Sequence, residues 1–378
     1  MTTTVNLSHE DRYNRQKLIT WWDQERLLKS KVLVVGAGAL GNEIVKNLAL
    51  VGVGDITIVD MDIIEHTNLA RCVFFKAGDE GKFKSTCLAE AAAILNPDIK
   101  TSSFTGPVQS LGDAYLTRFD LVIAGLDNRE ARLWLSAALR RIGKKWIDGA
   151  IEGLMGKVQT FTPDGACYGC SMSEKDWDLL SKRKSCALLG KEEMLQGHTP
   201  TNASTSSIVA GIQVQEAIKY LVGRDDLGAL ENKVWRFIGD QMTTFTSQIE
   251  IDEFCIFHYE TIASEEIVYL PGDLSSLLDA LNLKYGEKIS FFENFFVIQG
   301  CVECKTESIA GFEYLLKGEG SCKLCKAERR VTTGNQINRD SFSGQININK
   351  SNWPLETYLE VVGTDARRVV RVRGNENE

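Results

Sequence analysis

No stretch of this sequence approaches the roughly 18 consecutive apolar residues of a membrane-spanning helix, and Met1 to Glu10 lacks the apolar core of a secretory signal. The expectation is a cytoplasmic protein with no membrane partner. Excess positive charge is missing too. The 43 basic residues stand against 51 acidic ones, a net charge of -8 that gives no general attraction for nucleic acid. Internal repeats and low-complexity tracts are absent, and a composition 43% hydrophobic and 25% charged excludes wholesale disorder. A reducing compartment leaves the ten cysteines little use as disulfides. Seven of them fall instead into three C-x-x-C pairs and one C-x-x-H pair, the spacing of metal ligands.

What is present is centred on residues 31–62, which read as strand, glycine turn, helix and second strand of a nucleotide-binding unit. Val32 to Val35 have the length and branching of a buried parallel strand and run directly into Gly36-Ala-Gly38-Ala-Leu-Gly41. Gly36 permits the tight turn, Gly38 lets backbone amides approach a phosphate, and Gly41 lets the helix pack on the strand. Asp60 and Asp62 close the second strand, where a ribose hydroxyl needs a carboxylate. The alternative is a Rossmann-like glycine turn that binds nothing.

The alternation continues with a helix at 83–95, a strand near 99–104, a buried strand at 119–125 ending in Leu126-Asp127-Asn128, a helix at 129–142 and a strand at 145–149. Residues 10–28 read as a surface helix. Strand-like segments follow residue 157, with a helix at 205–221 that places Ile208, Ile212, Ile218 and Leu221 largely on one side. The fold expected is α/β: a Rossmann-like doubly wound sheet with an antiparallel extension, plus a small C-terminal region containing a zinc ribbon. Its domains are 1–264, with a polar crossover at about 171–204, and 265–378, with a helix at 274–284 and a disordered tail, GNENE.

Asn68, Arg71 and Lys84 follow the second strand. A nicotinamide enzyme has no use for them there, whereas a nucleoside triphosphate attacked at its α-phosphorus needs cations spread over the phosphates, and Asp127 would hold the magnesium. Taken singly, Arg71 and Lys84 also read as solvated surface charges. Cys301-x2-Cys304 and Cys322-x2-Cys325, seventeen residues apart, read as a four-thiolate zinc ribbon, with a redox dithiol as rival. Cys186 sits beside Arg183 and Lys184, cations that favour the thiolate; the alternative is a loop cysteine with no function.

RYNRQ at 12–16, VVGAGALG at 34–41, VDMDIIEHTNLAR at 59–71, GKFKS at 81–85, GLDNREAR at 125–132 and CYGC at 167–170 together resemble the E1-like family. That family comprises the ThiF and MoeB adenylyltransferases and the ubiquitin-activating enzymes, and the motifs keep its order over residues 10–260. The resemblance implies ATP-dependent adenylation of the C-terminal glycine carboxylate of a ubiquitin-like β-grasp protein. It implies Asp62 on the ribose, Asn68, Arg71 and Lys84 on the triphosphate, and Asp127, with Asn128 beside it, at the magnesium. Arg15 resembles an arginine that reaches into a partner subunit's site, which implies a homodimer. Cys167 and Cys170 pair, by the same resemblance, with Cys255 and His258, so that two zinc sites are expected. Cys186 matches by position, not by motif, the family cysteine that either forms a thioester before transfer to an E2-like conjugating enzyme or handles sulfur. The rival readings are sulfur-carrier adenylation of the thiamin or molybdopterin type, a nicotinamide-dependent Rossmann oxidoreductase, and a catalytically silent scaffold.

Overall fold

The computed structural model describes residues 11–178, 200–224, 226–258, 262, 266–284, 286–305, 308–316, 321–322, 324–339, 346–363 and 367–374. Cys186, most of the crossover and residues 375–378 of the GNENE tail lie outside the described residues.

The first unit comprises the chain up to Val108 together with Arg118–Glu260. Its eight-stranded sheet has the order β3-β2-β1-β4-β5-β6-β7-β8. Strands β1 (Lys31–Val35), β2 (Asp55–Asp60), β3 (Lys100–Thr105), β4 (Leu121–Ala124) and β5 (Trp146–Glu152) are parallel; β6 (Met155–Phe161), β7 (Lys233–Ile238) and β8 (Thr243–Gln248) run antiparallel. The reversal of strand order between β1 and β4 opens a crevice at their carboxyl ends, the place where doubly wound sheets bind ligands. Val32 to Val35 and Leu121 to Ala124 are almost wholly buried, as strands covered on both faces must be.

Four helices matter here: α2 (Ala39–Val51), α3 (Lys84–Leu95), α4 (Arg129–Arg141) and α5 (Ala203–Leu221), with a shorter α1 (Gln24–Lys29) ahead of them. Residues 10–28 do not make one helix. A 3-10 turn spans Gln16–Leu18, and Asp23 caps α1 by accepting from the Arg26 amide, so the charge spacing belongs to two short pieces. In α5 the buried face runs through Val209, Gln213, Val214, Ala217, Ile218 and Leu221, while Ile208 is exposed. Ile212 is half-buried against the core, so the apolar spacing holds at Ile212, Ile218 and Leu221, while near the helix start small residues cover the core in place of Ile208.

The second unit comprises Gln109–Thr117 and the chain from Thr261 onward. Its sheet contains β9 (Glu266–Tyr269), β10 (Lys288–Cys301), β11 (Ile309–Phe312), β12 (Arg329–Asn338), β13 (Asn347–Ile348), β14 (Glu356–Val362) and β15 (Arg367–Arg373), with a short helix α6 (Leu274–Ala280) capped by Asp273. Phe291, Phe295, Phe312 and Trp353 stack at its centre, the first two rings 4.2 Å apart. The segment from the β3–β4 connection is stitched into this unit. The Leu355 and Glu356 amides donate to the Ser110 and Leu111 carbonyls, and the buried Asp113 carboxylate accepts from the Tyr358 amide at 2.9 Å.

Candidate active site

The glycine turn forms because β1 ends against the ends of both its neighbours. Gly36 has φ +99°, and a side chain there would meet the Gly125 carbonyl at 2.7 Å. At Gly41 a Cβ would stand 1.9 Å from the Gly36 carbonyl, so only glycine lets α2 start this close to the strand. Gly38 is the N-cap of α2 and has open space where a side chain would be, leaving the helix amides accessible to an anion.

The two aspartates at the end of β2 differ. Asp60 turns inward, and its carboxylate accepts from the Ala37 amide at 2.6 Å and the Asp62 amide at 2.8 Å. Burial pushes its carboxyl above the usual range, against the pull of those two amides. It therefore shapes the turn. Asp62 is exposed and pairs with Lys84 at 2.9 Å, the lysine itself being largely covered at the first residue of α3. The sequence placed both acids at this strand end; the structure leaves Asp62 facing the open side.

Asn68 is buried in a 3-10 turn (His66–Asn68) and accepts from the Glu65 amide. Arg71 is half-buried three residues on, and its guanidinium is unpaired among the described residues. Asp127 and Asn128 lie beyond β4. Asn128 caps α4 through the Glu130 amide at 2.8 Å, while the exposed Asp127 carboxylate is unpaired among the described residues. Asp62, Lys84 and Arg71 thus follow β2, and Asp127 follows β4, on either side of the turn after β1. Arg15 is exposed, just before the 3-10 turn that precedes α1.

Two residues that the sequence reading passed over hold the site in shape. Asn42, wholly buried in α2, donates to the Ala37 and Gly38 carbonyls and accepts from the Phe74 amide, tying the glycine turn to the Arg71 segment. An asparagine in the first turn of the helix, directly after the glycine motif, is the sign of it. Arg132 of α4 donates to Asp148 at 2.8 Å, to the Gly149 carbonyl at 3.0 Å and to the Leu126 carbonyl, fixing the Asp127 loop to the end of β5. Both members of that ion pair are buried. For Asn42→Ala we expect nucleotide affinity to fall about tenfold, with about 1–3 kcal/mol of stability lost to unsatisfied carbonyls. Titration calorimetry with a non-hydrolysable ATP analogue and thermal denaturation check this.

Two clusters have the donor chemistry of a metal site. Cys167 precedes and Cys170 lies within a 3-10 turn (Gly169–Ser171), and Cys255 and His258 follow β8. The Cys167–Cys255 sulfurs are 3.4 Å apart, and Cys170 lies 3.1 Å from His258 Nε2. In the second unit Cys301 and Cys325 are 3.3 Å apart, as are Cys304 and Cys322. All ligand atoms within each set lie within 4.8 Å of one another, and a tetrahedral zinc with thiolates at about 2.3 Å separates sulfurs by about 3.8 Å. The donor sets fit. Lys305 and Lys326 occupy matching left-handed turns, their amides donating to the Cys301 and Cys322 carbonyls. Cys72, by contrast, is buried, with its thiol pushed up to about 11 by desolvation, the behaviour of a packing residue.

The chain matches the ThiF family over residues 12–254. It is 32% identical to the SAMP-activating enzyme E1 of Haloferax volcanii, across 68% of this chain and 91% of that protein. It is 29% identical to a probable molybdopterin-synthase adenylyltransferase of Porphyra purpurea, across 70% of this chain and 65% of that protein. The NEDD8-activating enzyme E1 catalytic subunit of Schizosaccharomyces pombe is 37% identical over 38% of this chain, which spans about a third (34%) of that protein. Among solved structures, Escherichia coli MccB with ATP superposes with a TM-score of 0.55 at 21% identity, covering 67% of this chain and 75% of that one, a likeness of fold.

Proposed function

The chain belongs to the ThiF family, and on that premise we propose that it adenylates the C-terminal glycine carboxylate of a ubiquitin-like protein. The observation that carries this is the set around the glycine turn: an Asp62–Lys84 pair, an unpaired Arg71 and an unpaired Asp127. A nicotinamide enzyme leaves the last three without a task. Asp62 takes the ribose, and Asn68, Arg71 and Lys84 take the triphosphate. The incoming carboxylate oxygen attacks the α-phosphorus, the bond to pyrophosphate breaks, and Arg71 and Lys84 hold the charge that moves onto the leaving group. Asp127 would hold magnesium, which when bound neutralises phosphate oxygens. Arg15, exposed in the segment before α1, serves the site of a second copy in a homodimer.

After adenylation, the Cys186 thiolate attacks the acyl carbonyl, AMP departs, and the thioester passes to a conjugating enzyme. The sulfur-carrier reading stands beside this one, favoured by the likeness to a probable molybdopterin-synthase adenylyltransferase over 70% of the chain. ATP–pyrophosphate exchange tests the proposal, with small proteins of the source organism as substrate and Cys186→Ala beside the wild type. Exchange by both with a thiol-labile adduct on the wild type alone supports conjugation. Exchange without an adduct selects the sulfur-carrier reading, and absence of exchange overturns adenylation.

The cysteine clusters we assign to zinc, closed and structural. Elemental analysis by plasma mass spectrometry should return about two zinc equivalents per chain, and about one for the Cys301→Ser, Cys304→Ser double variant. A wild-type value near zero after metal-replete expression would refute the assignment.

A further inference from the structure

The antiparallel extension carries two cations that neither its packing nor the adenylation chemistry explains. Lys157 of β6 lies opposite Arg236 of β7. Residues directly opposite in an antiparallel pair share a face, and like charges so placed destabilise the sheet. A counter-charge on that face would relieve this, but both nearby carboxylates are engaged elsewhere. Asp148 is paired with Arg132 at 2.8 Å, and Asp176 with Arg129 at 2.9 Å. Among the described residues Arg236 donates only to the Ser247 hydroxyl and lies 5.6 Å from the Phe245 ring; Lys157 Nζ lies 6.0 Å from the Tyr168 ring. Among the described residues neither has a carboxylate within ion-pair distance. Burial moreover holds the Lys157 ammonium below the ordinary lysine range, with Arg132 and Arg236 adding to the effect and Asp148 opposing it.

The strip is continuous with the site. Lys157 also lies opposite Ala150 of β5, two residues beyond Asp148, and Arg132 joins Asp148 to the Leu126 carbonyl in the Asp127 loop. From that loop the face runs outward across β5, β6 and β7. Resting on the adenylation reading, we propose that Lys157 and Arg236 form a subsite for an acidic side chain in the C-terminal tail of the activated protein. Strands are about 4.8 Å apart and an extended chain advances about 3.4 Å per residue, so the two spacings from β4 to β6, about 10 Å, place that acid about three residues before the terminal glycine. An incoming aspartate or glutamate supplies the charge that this face lacks.

Hydroxylamine, which converts acyl-adenylates to stable hydroxamates, tests this with the small-protein fraction of the source organism as substrate, the product tail being sequenced by mass spectrometry. The expected tail carries Asp or Glu about three residues before its terminal glycine, within one position either way. Its replacement by Ala should lower kcat/KM about tenfold with wild-type enzyme and less than twofold with Lys157→Gln or Arg236→Gln. Lys157→Glu should instead favour a tail with Lys at that position. A trapped tail without an acid there, or an equal loss in wild type and variants, overturns the subsite and leaves adenylation standing. No hydroxamate from any protein overturns the adenylation reading itself. The tail sequence decides the matter even if a variant fails to fold.

Discussion

Asp127→Ala is expected to reduce ATP–pyrophosphate exchange at least 10²-fold while leaving the melting temperature within about 1 °C of wild type. The first half follows from the task assigned to the carboxylate. A metal held by Asp127 would supply several kcal/mol of charge stabilisation in the transition state, and about 1.4 kcal/mol is a factor of ten in rate. The second half follows from its surroundings: Asp127 is exposed and unpaired among the described residues, and substitutions at such positions change stability by less than about 0.5 kcal/mol. The loop keeps its place in the variant, because Arg132 grips the Leu126 carbonyl rather than the Asp127 side chain. Exchange within threefold of wild type would remove Asp127 from the mechanism.

A chain stopped at Ser264, the boundary drawn from the sequence, is expected to melt at least 10 °C below the full chain or to precipitate on expression. Residues 109–117 would remain while the strands they bind to disappear. The Ser110 and Leu111 carbonyls lose the Leu355 and Glu356 amides, and Asp113 loses the Tyr358 amide and Thr357 hydroxyl. The Ala114 carbonyl loses Arg371. Leu111 and Leu116, both fully buried, sit in the stranded segment, and uncovering each costs about 1.5–3 kcal/mol. A total near 5 kcal/mol lowers the midpoint of a domain this size by about 10–20 °C. Calorimetry on both chains measures it. An unchanged midpoint would mean that the segment folds without its partners.

Much of the nucleotide end was legible because its requirements are local. A parallel strand covered on both faces must be continuously apolar, so Val32 to Val35 and Leu121 to Ala124 announce themselves, and a turn that admits no Cβ must spell glycine at 36 and 41. The C-x-x-C pairs are legible for a similar reason, since a knuckle fixes its own ligand spacing. The distinction between Asp60 and Asp62 was not legible, because it depends on which carboxylate meets the Ala37 amide across 23 residues. Nor was Arg132, whose partner Asp148 lies in a strand beyond its own helix and whose motif position gives no hint of burial. The stitch at 109–117 is the extreme case: nothing in Gln109 to Thr117 reveals that its partners come more than two hundred residues later.

That separation has a consequence on the ribosome. Asp113 and Tyr358 are 245 residues apart. At about 5–20 residues per second, roughly 12–50 s pass between their syntheses. The first unit's strands and helices are complete well before this interval ends, while Leu111 and Leu116 wait without cover. The β3–β4 connection is therefore the segment a nascent-chain chaperone meets, and the rate at which residues 265–378 are translated sets how long it must be held.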